Sequence, residues 1–197
     1  MPRTKSEEAR LKMEQAALEL SMELGVDKVT VAAIVERSGV AKTTFYRHFD
    51  SVSELVICSI DTHLEPGRIP DNGSLRLDFL ELAEMLLPRF NDGASRQMIT
   101  SLLHASAIDE ELRDLHNRID ANQTQPVEEI LKKAVTRGEL PEITNIELAA
   151  EFVEGPFLKR ILIKQQDLDH QEVVQLVNWI CNGLNATSEP LPLPQPT

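Results

Sequence analysis

The sequence predicts an all-α protein of about nine helices. Three observations carry that reading. Apolar residues recur at spacings of three and four along nearly the whole chain, the period that gathers them on one helix face. No stretch alternates apolar and polar residues as a half-buried strand would, and no internal repeat occurs. Several apolar runs also open on Ser, Thr or Asp followed three residues later by Glu, the spacing of a capping box.

The first helix is expected over residues 7–24, where Met13, Ala16, Ala17, Leu20 and Leu24 share a face. Thr4 and Glu7 have capping-box spacing before it. Gly25 is placed to end it, because glycine tolerates the left-handed conformation of helix ends. A second helix runs from Thr30, whose hydroxyl can cap it, to Arg37, with Val31, Ile34 and Val35 as its apolar side. "SGVA" interrupts, and a short third helix covers Lys42 to Phe49. A fourth follows Ser51 and Glu54, again a capping pair, and ends before the break Glu65–Gly73.

Helical patterns continue over 75–90, 95–107 and 110–137. Thr144 and Glu147 are the expected cap of a helix over 145–165, which Gly155-Pro156 should kink or split. Asp169 and Glu172 open the last helix, 170–186. The domains expected are 1–65 and 66–187, followed by a proline-rich, disordered tail at 188–197.

Charge is unevenly shared. The chain carries 32 acids and 20 bases, a net of −12. Residues 1–60 are near neutral, and almost all the excess lies beyond them. A surface that acidic excludes generic nucleic-acid binding by the whole molecule. Two distant cysteines form no disulfide framework, which places the chain in a reducing compartment. No apolar run reaches the roughly 18 residues of a membrane span, and the N-terminus lacks a signal-peptide core. A cytoplasmic protein with no membrane partner is expected.

One segment breaks the acidic trend. From Arg37 to Phe49 there is no acid, but there are three bases (Arg37, Lys42 and Arg47), a histidine, and three aromatics. Two short helices joined by a glycine turn make a helix-turn-helix. On the second, Phe45 and Phe49 point one way, toward Leu20, Ile34 and Leu55. Lys42, Thr43, Tyr46 and Arg47 point the other. That outer side suits phosphates and base edges in a major groove. The pattern alone leaves open a helical hairpin with an ordinary solvated face.

The stretch "AALELSMELGVDKVTVAAIVERSGVAKTTFYRHFDSVSELV" resembles the DNA-binding domain of the tetracycline-repressor (TetR) family. The shared features are the Ala-Ala-x-x-Leu helix and the glycine after it, the threonine opening the next helix, Ser-Gly-Val, and Thr44-Phe45-Tyr46-Arg47-His48-Phe49. The resemblance implies a helix-turn-helix over Thr30–Phe49 with Lys42–His48 as recognition helix. Thr44, Tyr46 and His48 match positions that usually touch DNA. Lys42, Thr43 and Arg47 fall where members vary and would set sequence preference. Thr30 matches a capping position that often also reaches a phosphate. Three residues depart from the family pattern: Ala41 where a serine usually caps, Thr43 where glycine is common, and Val52 where a lysine would meet phosphate.

The resemblance further implies a C-terminal domain that dimerises and holds a small-molecule effector. "RGELPE" and "ELAAEFVEGPFLKRILI" are similar to one common version of it. Val173, Val177, Ile180 and Leu184 form a stripe on the last helix, and Phe157 and Ile161 accompany it from the helix before. These six are the expected interface of a homodimer, and a larger internal core stays open on periodicity alone. Phe79, Met85, Phe90, Met98, Leu102 and Leu103 are the expected pocket lining, with ordinary core as the other reading. Two recognition helices would then stand about 34–36 Å apart or slightly more on a palindromic double-stranded operator.

No glycine-rich phosphate loop, nucleophile elbow or paired-cysteine site occurs, so no enzyme, cofactor or metal is expected. His63, His104 and His116 lack metal-ligand spacing. The competing function is a helical adaptor of the same fold that has lost DNA binding and works through protein contacts.

Overall fold

The computed structural model describes residues 5–63, 68–142 and 144–185. Thr4, the tail at 188–197 and the first part of the 65–73 break lie outside the described residues. The described residues form nine α-helices and no strand.

The first four helices are α1 (Lys5–Leu24), α2 (Val31–Ser38), α3 (Lys42–His48) and α4 (Val52–His63). Met13, Ala16, Ala17 and Leu20 bury one face of α1, while Leu24 in its last turn is exposed. Gly25 ends the helix at φ 98°, and a 3₁₀ turn, Val26–Lys28, follows. Thr30 caps α2, its hydroxyl accepting from the Ala33 amide at 3.2 Å. Gly39 closes α2 at φ 67° and donates to the Val35 carbonyl. Ser51 accepts from the Glu54 amide at 3.0 Å, and Glu54 reaches back to the Asp50 amide. The Ser51 cap starts α4 as the spacing predicts, while Glu54 takes the amide one residue before the cap.

Five helices follow: α5 (Leu75–Asn91), α6 (Gly93–Ser106), α7 (Glu110–Thr136), α8 (Ile146–Leu158) and α9 (His170–Asn185). Asp92 and Asp109 cap α6 and α7. Asp169 and Glu172 close a capping box on α9, with bonds of 2.8 and 3.2 Å. Two expectations are corrected here. Asn145, not Thr144, caps α8 by accepting from the Leu148 amide; the Thr144 hydroxyl turns back to the Pro141 carbonyl. Helix α8 also runs through Gly155-Pro156 to Leu158. The irregularity comes afterwards, as a π-helical turn over Lys159–Ile163.

The buried apolar side chains form two clusters. The first joins α1–α4 to Met98, Leu102 and Ala105 of α6 and to Leu112 and Leu115 of α7. The second joins α5, the C-terminal half of α7, α8 and α9. Helix α6 therefore belongs to the core of the N-terminal unit although it lies beyond the chain break. The buried Asp78 braces the second cluster, accepting from the Asn72 amide at 2.5 Å and facing Arg137 at 3.3 Å.

Candidate nucleic-acid interface and internal cavity

Helix α3 is short, and its orientation is set by two rings. Phe45 and Phe49 are buried against α1, α2 and α4, with ring centroids 6.0 Å apart. Tyr46 stands edge-on to Phe45 at 5.2 Å and keeps 55% of its surface exposed. Lys42, Thr43 and Arg47 are exposed beside it, and the Lys42 ammonium lies 6.0 Å from the tyrosine ring. Thr44 and His48 are half-buried at the edges of this face, with His48 Nε2 3.2 Å from the Ser6 hydroxyl. Thr30 is exposed at the start of α2.

Not every base of the segment belongs to this face. Arg37 forks onto Glu23 at 2.8 and 2.9 Å and reaches Glu19 at 3.4 Å. It ties α2 to α1, and it holds the Glu23 carboxyl below its ordinary range. The family departures are also visible. Ala41 offers α3 no side-chain cap, and Val52 packs half-buried against the first core, where it offers no charge.

The second feature is a cavity of about 250 Å³ enclosed by α5–α9 and the segment joining α8 to α9. Of the six residues expected in an effector pocket, Phe79, Phe90, Met98, Leu102 and Leu103 border this cavity. Met85 does not: it is 42% exposed and off the row 79, 82, 83, 86, 87, 90 that α5 turns inward. The wall also includes Val153, Glu154 and Phe157 of α8, which the sequence reading did not assign to it. The signal was present. Ala150, Val153, Glu154 and Phe157 fall at helical spacing, so an acid shares the apolar row.

Glu154 is the unusual group. Its carboxylate accepts from the Thr124 hydroxyl at 3.2 Å. Burial, reinforced by Asp120, Glu128 and Glu151, pushes its pKa up to about 7. Arg89, from the last turn of α5, also lines the cavity; burial pulls its guanidinium below its usual value.

Four of the six residues expected at a dimer interface lie inside the protomer. Val173, Val177, Ile180 and Ile161 are buried inside the protomer, Phe157 faces the cavity, and Leu184 packs half-buried on the second core. A side chain already enclosed by its own chain has no surface left for a partner. The exposed large apolar side chains of α8 and α9 are Leu148, Phe152, Leu158 and Trp179. Phe152 lies over Gly183, where an added Cβ would stand 3.2 Å from the ring.

A glycine-linked pair of short helices with a cationic, hydroxylic outer face, joined to a helical unit around an apolar cavity, is the architecture of a helix-turn-helix transcription regulator. The comparisons place it within that class. Residues 15–57 match the model of the bacterial regulatory proteins of the tetR family. Residues 69–180 match that of the tetracyclin repressor-like C-terminal domain. The uncharacterised HTH-type transcriptional regulator YdeS of Bacillus subtilis is 31% identical over 175 residues, 88% of each chain. The crystal structure of the TetR-family regulator SCO0332 superposes with a TM-score of 0.64 at 24% identity, covering 89% of this chain and 98% of that one. Bacillus subtilis FadR, solved in complex with stearoyl-CoA, superposes at 0.69 with 19% identity, covering 91% and 99%. These two likenesses show the fold. The chain belongs to the TetR family of DNA-binding transcription regulators.

Proposed function

We propose that the protein is a homodimeric, cytoplasmic repressor that leaves a palindromic operator when a small molecule occupies the cavity. Tyr46, Thr44 and His48 contact the DNA backbone and base edges. Lys42, Thr43 and Arg47 set sequence preference, and Thr30 reaches a phosphate from the start of α2. The second copy covers the face that carries Leu148, Phe152 and Trp179. A two-fold pairing of this kind is self-complementary and sets two recognition helices on successive major grooves.

The observation that carries the reading is the double role of α6. Ser101 accepts the Val26 amide at 2.9 Å, and Gln97 donates to the Glu23 carbonyl at 3.0 Å. The same helix puts Met98 and Leu102 into both the first core and the cavity wall. A ligand that displaces α6 displaces the α1–α2 joint with it. It shifts the equilibrium only by its differential affinity for the two arrangements.

The test is selection of bound sequences from a random duplex pool, followed by titration of the winner with wild type and Arg47→Ala. A palindrome with half-sites about one DNA turn apart is expected, with Arg47→Ala weakening binding by about 1–3 kcal/mol at an unchanged melting temperature. No enrichment from a folded dimer would instead favour the adaptor reading, to which uncapped α3 and uncharged Val52 lend weight.

A further inference from the structure

We propose that the cavity takes a lipophilic organic cation, an apolar body carrying one quaternary or protonated amine, with Glu154 as its counter-ion. The assignment rests on the reading of the cavity as the effector site. At about 250 Å³ the space lies near the small end of ligand pockets, about 300–1,000 Å³. Its wall is almost wholly apolar, and three phenyl rings, Phe79, Phe90 and Phe157, border it. The negative faces of such rings attract a cation.

The charges on the wall decide the sign. Glu154 enters from α8, and the charged groups that act on it are all acids: Asp120 and Glu128 from α7, and Glu151 from its own helix. Its hydrogen-bond partner, Thr124, is neutral. Helices α6 and α9 face the cavity with apolar side chains; α5 adds Arg89 and α7 adds His116. Among the described residues, Glu154 is therefore a half-buried carboxyl with no cationic side chain paired to it. Ionising it unpaired in such a place is unfavourable, and a bound cation removes that penalty. Among the described wall residues Arg89 is the permanent cation, and as an anchor it would select a carboxylate. That ligand would have to enter a wall on which Glu154 and Asp120 stand against a single guanidinium, in a chain of net charge −12.

Binding of a cation competes with the proton on Glu154. For a probe whose own charge is permanent, affinity must rise with pH through the carboxyl's pKa of about 7. Calorimetric titration of the full chain with three probes of similar shape reads this out: phenylbutyl-trimethylammonium, phenylpentanol and phenylpentanoate. The ammonium is expected to bind about tenfold tighter than the alcohol at pH 8, and about tenfold tighter at pH 8 than at pH 6. Glu154→Gln should remove both differences and keep alcohol binding, which separates the carboxylate from His116. Equal affinity for ammonium and alcohol would overturn the ligand class and leave the effector reading standing. So would tighter binding of the carboxylate that is lost in Arg89→Ala. If none of the three binds, both the ligand class and the effector reading fall.

Discussion

The two cores are built from the same kind of helix and end in different states. Around Phe45 the interior is closed: Met13, Ile34, Leu55 and Ile60 keep no exposed surface. Around Phe157 and Val177 it stays open, and side chains from five helices face a void. The first unit must present Lys42 to His48 in one fixed arrangement. Close packing achieves that, because each interior side chain is held in one rotamer by its neighbours. The second unit forgoes part of that packing, since atoms facing a void have no partners on one side. Rigidity belongs where a surface is presented, and unfilled volume where something is to be admitted.

Mutations should separate the two states by magnitude. Phe45→Ala empties a closed site and is expected to destabilise by about 3–5 kcal/mol in urea unfolding. Gly25→Ala comes next, at about 2–3 kcal/mol. It combines a φ of 98° with a new Cβ 2.9 Å from that of Ser101, and it should weaken operator binding as the joint shifts. Phe90→Ala, on the cavity wall, should lose only about 1–2 kcal/mol, because one side of the ring already faces space. A loss as large as that of Phe45→Ala would erase the distinction between the cores.

The smallest effect should be the most specific. The folded pKa of Glu154, about 7, lies above its ordinary 4.5, so the native state holds a proton that the unfolded chain releases. Stability must then fall as pH rises between those values. Glu154→Gln is expected to raise stability by about 1 kcal/mol at pH 8, after discount for solvent screening, and to change nothing near pH 4. Thermal melts at both pH values check this, and an equal gain at both would remove the carboxyl's titration from the account.

How much the sequence revealed depended on how many faces of a helix are apolar. Helix α3 and the residue that ends it carry one apolar pair, Phe45 and Phe49, against a cationic and hydroxylic remainder, so only one orientation buries carbon and solvates charge. Its exposed face is the one the wheel assigns. Helix α9 has apolar residues on two sides, Val173, Val177 and Ile180 on one and Trp179 on another. Periodicity alone does not decide which side turns inward, and the stripe expected to meet a partner is the one that meets the chain's own core. A similar ambiguity covers the cavity: apolar spacing marks a side chain as inward-facing without marking whether it meets another side chain or a void. Arg37 shows a third limit. Its charge is plain in the sequence, but its commitment to Glu19 and Glu23 depends on how α2 crosses α1.

The placement of α6 bears on attempts to retune this protein as a sensor. Met98 and Leu102 are shared between the cavity wall and the unit that carries the recognition helix. If the cavity is the effector site proposed above, substitutions there alter what is detected and what is reported at the same time, so a library built on α6 will confuse altered selectivity with a damaged output. Variation on α5 and α8, at positions such as Leu86 and Phe157, changes the receptor without touching the transmission. Designers who want new inputs on an unchanged promoter should start from those two walls and keep Gly25, Gln97 and Ser101 fixed.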